Sequence, residues 1–359
     1  MRILQVVPNL HYGDAVGNDI ITMDGILKEA GFRTGIYAYQ IDKRIFLDSV
    51  HSFSSLEIKS DDVLILHEAT AHGMNEWVKG QKCRKIMVYH NITPPHFFAP
   101  YDTAISDACT LGLGQVEGLK ESFGMVLADS SFNRQNLIDI GYETDIKVLP
   151  ILISFSDYDK TPDGQILSKY SDDGFTNILF VGRVAPNKCQ QDVIAAFDAY
   201  QRNCNPKSRL FIVGSPCPEY YKNVLEEYVR QLGTNNVIFT GHTRFDEILA
   251  YYHLCDLFLC QSEHEGFCVP LVEAMYFHKP IVAYDSSAIG ETLGGGGFLL
   301  KEKNPMETAT VMNRILTDDK LQQAIVSNQD ERLEYFSYER IRDLFLKYMD
   351  EFMDRAGIK

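Results

Sequence analysis

The sequence predicts an α/β chain built from two doubly wound, parallel-sheet domains. Three observations lead there. Short β-branched runs alternate with helix-period segments from end to end, the pattern of strands joined by crossover helices. The chain has 359 residues, more than a single hydrophobic core usually organises. A polar stretch from Ser154 to Asp173, rich in Asp and Ser with one Pro and one Gly, reads as an exposed linker between the halves. The domains are accordingly expected over 1–160 and 170–335.

In the first half, Arg2 to Val7 reads as a strand. Asp19 to Ala30 reads as a helix, with Ile20, Met23 and Leu27 on one face and Gly31 as its stop. Val63 to Leu66 and Lys85 to Tyr89 read as further strands, followed by His67 and His90. In the second half, Asn177 to Gly182, Leu210 to Gly214, Val237 to Thr240, Asp256 to Cys260 and Pro280 to Tyr284 read as five strands. Gly294 to Gly297 reads as a turn. Near the end, Ile341, Leu344, Phe345, Tyr348 and Phe352 recur at helical spacing, so a helix over 338–356 is expected to pack back on the N-terminal domain.

Composition bounds the function. Apolar residues make up 45% and charged residues 23%, ordinary globular values. No stretch approaches the roughly 20 apolar residues that span a bilayer. The opening MRILQVVPNL lacks a signal-peptide cleavage site, and the eight cysteines show no C-x-x-C pair or zinc-finger spacing. A cytoplasmic chain with reduced thiols is expected. The net charge of -15 argues against nucleic acid as a partner. Lys79, Lys82, Arg84 and Lys85 with Trp77 form one basic-aromatic patch, read either as a solvated face or as a peripheral contact with anionic lipid at the inner face of the membrane.

Two segments carry the chemistry. Cys255 to Ser287 runs from a buried strand through a polar loop into a helix and a further strand, and ligands bind at this end of such strands. Pro270 suits the first helical turn, which sets Glu265 in the loop and Glu273 in or near that turn. Both carboxylates can accept hydrogen bonds from hydroxyl groups, and the helix N-terminus suits an oxyanion. Taken alone, Glu265 reads equally as a solvated loop residue and Glu273 as a helix-dipole partner. The second segment, VGRVAPNK from Val181 to Lys188, leaves a strand and presents Arg183 and Lys188 in the next loop. Arg183 can bind two oxygens at once and Lys188 acts as a point charge, although such a pair taken alone reads more often as a surface feature than as a site.

Together these pieces resemble the retaining family 4 glycosyltransferases, which have the GT-B fold of two facing Rossmann-like domains with a deep interdomain cleft. Glu265-Gly266-Phe267 through Glu273-Ala274-Met275 is similar to that family's E-x7-E signature, and Arg183, Lys188, Glu265 and Glu273 occur in the family's order. The resemblance implies that Arg183 and Lys188 hold the donor diphosphate, Glu265 the transferred sugar and Glu273 the ribose hydroxyls. Backbone N–H groups around Gly266, Phe267, Cys268 and Val269 would touch the sugar. Where this chain has Cys189 and Cys268 the family more often has glycine. HYGDAVGND resembles, loosely, the family's glycine-rich loop, which makes Gly13 and Ala15 candidates. A turn-only role for this loop stays open. His90 stands where related enzymes carry a histidine that bonds a sugar hydroxyl or the acceptor; read alone, a histidine at a strand end is more often structural. His67 has a similar setting.

The implied activity moves a sugar, with retention, from a nucleotide diphosphate donor to a hydroxyl of a glycan or lipid-linked acceptor. A UDP-sugar such as UDP-glucose is favoured over GDP-mannose, and base selection is expected around Gly214, Thr240 and Arg244. No metal or other cofactor is expected, since Arg183, Lys188 and the helix N-terminus would supply the positive charge. Asp157-Tyr158-Asp159 matches a metal-binding D-x-D by spacing, but it falls in the expected linker. A catalytically silent nucleotide-sugar-binding subunit is the alternative. A Rossmann dehydrogenase lacks its glycine fingerprint here. Oligomeric state is not encoded legibly.

Overall fold

The computed structural model describes residues 1–355 and Gly357. Its chain divides into two compact units, both Rossmann-like. The first comprises Met1–Pro95, Ala104–Ser154 and the chain from Phe336, and the second comprises His96–Thr103 and Phe155–Tyr335.

The first unit is a seven-stranded parallel sheet. Its strands are β1 (Ile3–Leu10), β2 (Thr34–Ile41), β3 (Val50–Ser52), β4 (Val63–Glu68), β5 (Arg84–Tyr89), β6 (Met125–Ala128) and β7 (Ile146–Val148). They lie in the order β3-β2-β1-β4-β5-β6-β7. The inner strands are apolar almost throughout because helices cover both faces of a parallel sheet. The order reverses beside β1, and the carboxyl ends around such a reversal are where ligands bind in this architecture. Those ends bring Glu68, His90 and Asp129 to one edge of the unit.

The second unit is a six-stranded parallel sheet of β8 (Thr176–Val181), β9 (Ser208–Val213), β10 (Val237–Gly241), β11 (Leu257–Cys260), β12 (Ile281–Tyr284) and β13 (Phe298–Leu300). The order is β10-β9-β8-β11-β12-β13, reversing beside β8. The loops that leave β8 and β11 therefore emerge side by side. The glycine run ends the helix Ile289–Leu293, with Gly294 at φ +50, and leads into β13.

The C-terminal helix Tyr338–Arg355 packs on the first unit. Ile341, Phe345, Met349 and Phe352 share a core with Ile65, Val88, Met125 and Leu127. A Cβ at Gly124 would stand 3.0 Å from the Phe352 ring, so this position admits the helix only as glycine or with a shift of that ring. The expected last residue of that helix, Ala356, lies outside the described residues.

The boundary between the units falls after Ser154, ahead of the one read from composition, and 155–173 is a structured segment, largely exposed, rather than a free linker. It holds a short 3-10 turn at Phe155–Asp157 and the helix Gly164–Tyr170, capped by Asp163. Phe155 stacks on Tyr276, with ring centroids 5.4 Å apart, and Tyr158 packs on Tyr276 and Phe277. The aromatic surface of two residues outweighs the polar composition around them. Segment 96–103 also sorts with the second unit, where the Tyr101 ring meets Tyr221 edge-on at 4.9 Å.

The basic-aromatic patch shrinks once folded. Lys85 donates to the carbonyls of Val78, Lys79 and Gln81 and so caps the helix Met74–Gly80. Trp77 packs edge-on against Phe53. Lys79 and Lys82 remain exposed. No helix among the described residues is long and apolar enough to cross a membrane.

Candidate active site

Glycine geometry sets up the loop after β8. Gly182 and Gly214 lie at φ +145 and +144, and a Cβ on Gly214 would stand 2.1 Å from the Gly182 carbonyl oxygen. Only glycine lets these two loops touch. The contact is continued by Val184 N–H donating to the Ser215 carbonyl and Cys217 N–H to that of Val184. Arg183 is thereby held at the mouth of β8. Its side chain is exposed, and among the described residues it has neither a hydrogen bond nor an ion pair.

Lys188 ends the 3-10 turn Pro186–Lys188, and its ammonium forms an ion pair and hydrogen bond with the Glu265 carboxylate. The lysine side chain is 15% exposed and the glutamate 7%, so the pair is largely withdrawn from water. Asn187, which the sequence reading passed over, fastens the two loops together. Its carbonyl accepts from the N–H of Glu263 at 2.9 Å, and its Nδ2 donates to the His264 carbonyl at 2.9 Å. Ser287, in the loop after β12, holds the Glu265 loop from another side by accepting the Glu265 N–H at 2.9 Å. An asparagine beside the lysine of VGRVAPNK was the available signal. Burial pushes the neighbouring His264 down to about 4, with Lys188 adding to the effect and Glu265 opposing it. The ring is neutral at physiological pH.

Beyond Glu265 the chain turns into the helix Val269–Tyr276. Cys268 precedes it at φ +77, and Cys189 precedes the helix Gln190–Asn203 at φ +51. The two positions where the resembling family favours glycine are thus both left-handed, which is a physical reason for glycine there. The Phe267 carbonyl accepts from Thr292 Oγ1 at 2.5 Å, fixing the loop on its far side. Gly266 and Val269 flank this turn, both partly exposed.

Glu273 joins a different network from Glu265. Its two carboxylate oxygens accept from Tyr158 at 3.1 Å and Tyr252 at 2.7 Å, and burial raises its pKa while both tyrosine bonds oppose the rise. The segment read as a linker thus supplies one of its partners. Asp157 pairs with Lys160 and Asp159 accepts from Tyr276 at 2.6 Å, so the two D-x-D carboxylates serve separate local contacts. An open hollow of about 820 Å³ beside them is lined by Tyr158–Pro162, Tyr276–Lys279, His253 and Leu333, away from the Lys188 pair.

Thr240 and Thr243 share a 2.8 Å hydrogen bond at the end of β10, and Thr240 Oγ1 lies 3.4 Å from the Gly214 N–H. Arg244, expected near the base, is committed elsewhere. It pairs with Asp163 at 2.9 Å, Asp246 at 3.0 Å and Glu247 at 3.3 Å, at the start of the helix Phe245–Leu254. Two negative charges at the N-terminus of that helix, and a third from Asp163, hold the guanidinium there.

In the first unit Gly13 is exposed at φ +74 and Ala15 opens the helix Ala15–Glu29. The tight contact in that loop belongs to Gly17, whose Cβ would stand 2.4 Å from the His11 carbonyl oxygen.

His90 differs most from expectation. Its side chain is only 2% exposed, and both ring nitrogens are taken: Nδ1 by Asp129 at 3.0 Å and Nε2 by His67 Nδ1 at 3.0 Å. The chain ends at Gln5, which donates to the Ile20 carbonyl at 3.1 Å and turns its Oε1 to His67 Nε2 at 2.9 Å. That fixed amide sets the tautomers. His67 must donate from Nε2, accepts at Nδ1, and so leaves His90 protonated on both nitrogens against the Asp129 carboxylate. Burial works against this charge, but Asp129 overrides it and raises His90 to about 9, while burial and the His90 charge hold His67 well below its usual range. The expected hydrogen bond from the His90 ring to a sugar hydroxyl has no nitrogen left to make it. The ring is instead a buried cation in a four-residue relay.

With this geometry in hand, residues 167–332 match the family model described as glycosyl transferases group 1. A lipopolysaccharide 1,2-N-acetylglucosaminetransferase of Salmonella typhimurium is 28% identical over 193 residues, covering 50% of this chain and 49% of that one. An O-antigen chain mannosyltransferase B of Escherichia coli is 21% identical over 277 residues, 75% of this chain and 70% of that one. The chain therefore spans about half the length of the Salmonella relative. The crystal structure of Anabaena HepE in complex with UDP-glucose superposes with a TM-score of 0.75 at 19% identity, covering 98% of this chain and 100% of that one. At that identity the likeness is one of fold, and it is the GT-B fold of two Rossmann-like domains.

Proposed function

We propose that this chain is a retaining glycosyltransferase of family 4, which moves a sugar from a nucleotide diphosphate to a hydroxyl of a glycan or lipid-linked acceptor in polysaccharide assembly. The observation that carries the reading is the Lys188–Glu265 pair, which joins the loop after β8 to the E-x7-E loop after β11 and leaves Arg183 unpaired beside it. The family match over 167–332 supports the reaction class. The relatives' names support a hexose or N-acetylhexosamine as the transferred group. The UDP-glucose bound to the HepE structure is consistent with a UDP-sugar donor, and a GDP-mannose-dependent alpha-mannosyltransferase among the relatives keeps GDP-mannose as the second candidate.

In this reading the bond between the anomeric carbon and the diphosphate oxygen breaks as the acceptor oxygen attacks the same face of the sugar. The departing diphosphate takes the acceptor proton. Arg183 and Lys188 stabilise the charge that grows on the diphosphate, already in place and without reorganisation. Glu265 holds the sugar hydroxyls. Glu273 exchanges a tyrosine hydroxyl for a ribose hydroxyl, one bond for another of the same kind. The Arg183 and Lys188 cations fill the electrostatic role that a metal plays elsewhere.

The test pairs thermal-shift screening against UDP-glucose, UDP-N-acetylglucosamine and GDP-mannose with a measurement of nucleotide release. A UDP-sugar is expected to raise the melting temperature and to be turned over. Arg183→Ala and Lys188→Ala are each expected to slow that turnover by more than about a hundredfold. Near-normal turnover in both variants sinks the assignment, and binding without turnover on any acceptor favours a silent sugar-nucleotide binder.

A further inference from the structure

Three ligand atoms converge within the loop that carries Glu265. Cys260 ends β11 at 2% exposure and Cys268 precedes the helix Val269–Tyr276 at 7%. Their sulfur atoms and a Glu265 oxygen all lie within 4.8 Å of one another. Zinc bonds of about 2.3 Å to sulfur and about 2.1 Å to oxygen give a coordination shell of nearly that diameter, so small side-chain movements close it. All three residues come from the single stretch 260–268, whose ends are fixed by a strand and a helix.

Two similar clusters show what distinguishes this one. Cys189, Asp192 and Glu263 also meet, but the Lys303 ammonium already sits among them, 2.8 Å from Asp192 and 2.7 Å from Glu263. Asp19, His67 and His90 meet as well, but the ring nitrogens of both histidines are committed to Asp129, Gln5 and each other. In the 260–268 cluster neither thiol is held by a charged group: Cys260 Sγ makes a 3.4 Å contact with Ser262 Oγ, and Glu265 alone is engaged by Lys188.

We propose that Cys260, Glu265 and Cys268 form a binding site for a thiophilic divalent cation of the zinc or cadmium class, and that its occupation opposes catalysis by taking Glu265 from Lys188. Two thiolates select soft metals, whereas magnesium and calcium favour all-oxygen shells. Binding releases the two thiol protons to solvent and leaves the Lys188 ammonium without its carboxylate. The second half of the proposal rests on the sugar-transfer reading; the first does not.

The experiment uses the full-length, reduced, metal-free chain titrated with cadmium chloride in the absence of nucleotide. Bound metal is counted by elemental analysis, and thiolate-to-cadmium charge transfer is followed by ultraviolet absorption. One cadmium per chain is expected, with an absorption band that is lost in Cys260→Ser and in Cys268→Gly. The glycine variant suits the left-handed position and so keeps the loop folded. No band in the native chain, or a band of full strength in both variants, overturns the site. Turnover is measured separately. Cadmium is expected to suppress nucleotide release by the native chain but not by Cys260→Ser. A band without suppression refutes the link to Glu265 while the site stands. Absence of turnover in the metal-free chain, with the band intact, overturns the enzyme reading alone.

Discussion

At the scale of single residues, burial decides which charges cooperate. Lys188→Ala leaves the Glu265 carboxylate, 7% exposed, without its cation. The expected cost is about 1–3 kcal/mol of unfolding free energy, the usual penalty for an orphaned, mostly buried polar group. Adding Glu265→Gln removes the orphaned charge, so the double variant is expected to regain most of that stability in urea titrations while staying inactive. A double variant no more stable than Lys188→Ala contradicts the pairing. His90 gives a pH signature. Its pKa is raised in the folded state from 6.5 to about 9, so the stability it contributes is complete below about 6.5 and is lost as pH rises through about 9. His67, held low, acts only at the acid end, and Asp19, raised to about 7 by burial, has titrated before this window closes. Stability should therefore fall by on the order of 1–3 kcal/mol between about pH 7.5 and 9.5. Asp129→Asn should flatten that slope, and an equal slope in that variant rules the pair out as its source.

At the scale of elements, the turns into helices carry the strain. Cys268 stands at φ +77 where an L side chain costs about 1–2 kcal/mol. Cys268→Ala keeps that cost and loses the thiol's packing, while Cys268→Gly loses the packing but escapes the cost. The glycine variant is expected to be the more stable of the two by about 1 kcal/mol in denaturant titrations. The reverse order would mean that the turn has a different backbone conformation. The β8 and β9 loops follow the same logic: Gly214 approaches the Gly182 carbonyl because it has no Cβ, and Gly182, at φ +145, adopts a backbone conformation open to glycine.

At the scale of the whole molecule, the chain ends by returning to the first unit. Ile341, Phe345, Met349 and Phe352 are each 5% exposed or less. At about 1.5–3 kcal/mol for each large apolar side chain, their burial supplies roughly 6 kcal/mol or more, comparable with the whole stability of a domain. A chain stopped after Tyr335 is expected to lose hydrogen-exchange protection throughout 1–95 and 104–154 and to keep it over 155–335. Protection that survives in 1–95 and 104–154 would show that the helix is dispensable. The same scale explains the division of labour. Both sheets reverse direction beside their first strand, so each unit gathers its polar groups at one sheet edge: a buried histidine relay in the first, an ion-paired loop cluster in the second.

The alternation of strands and helices, the two sheets, the returning helix, the loop positions of Arg183, Lys188 and Glu265 and the helical position of Glu273 are all legible in the sequence, because periodicity, proline and glycine signals act over a few residues. Strands β2, β3, β6, β7 and β13 were not picked out, being short or lacking a clean pattern at their ends. Folding alone decided that Glu273 meets Tyr158 and Tyr252, that both nitrogens of His90 are occupied, that Arg244 serves a helix end, and that Asn187 ties the two loops. Each of those contacts joins a group to one whose position is set by packing elsewhere in its unit. Local propensity constrains where a side chain starts; only the packed sheet determines what it reaches.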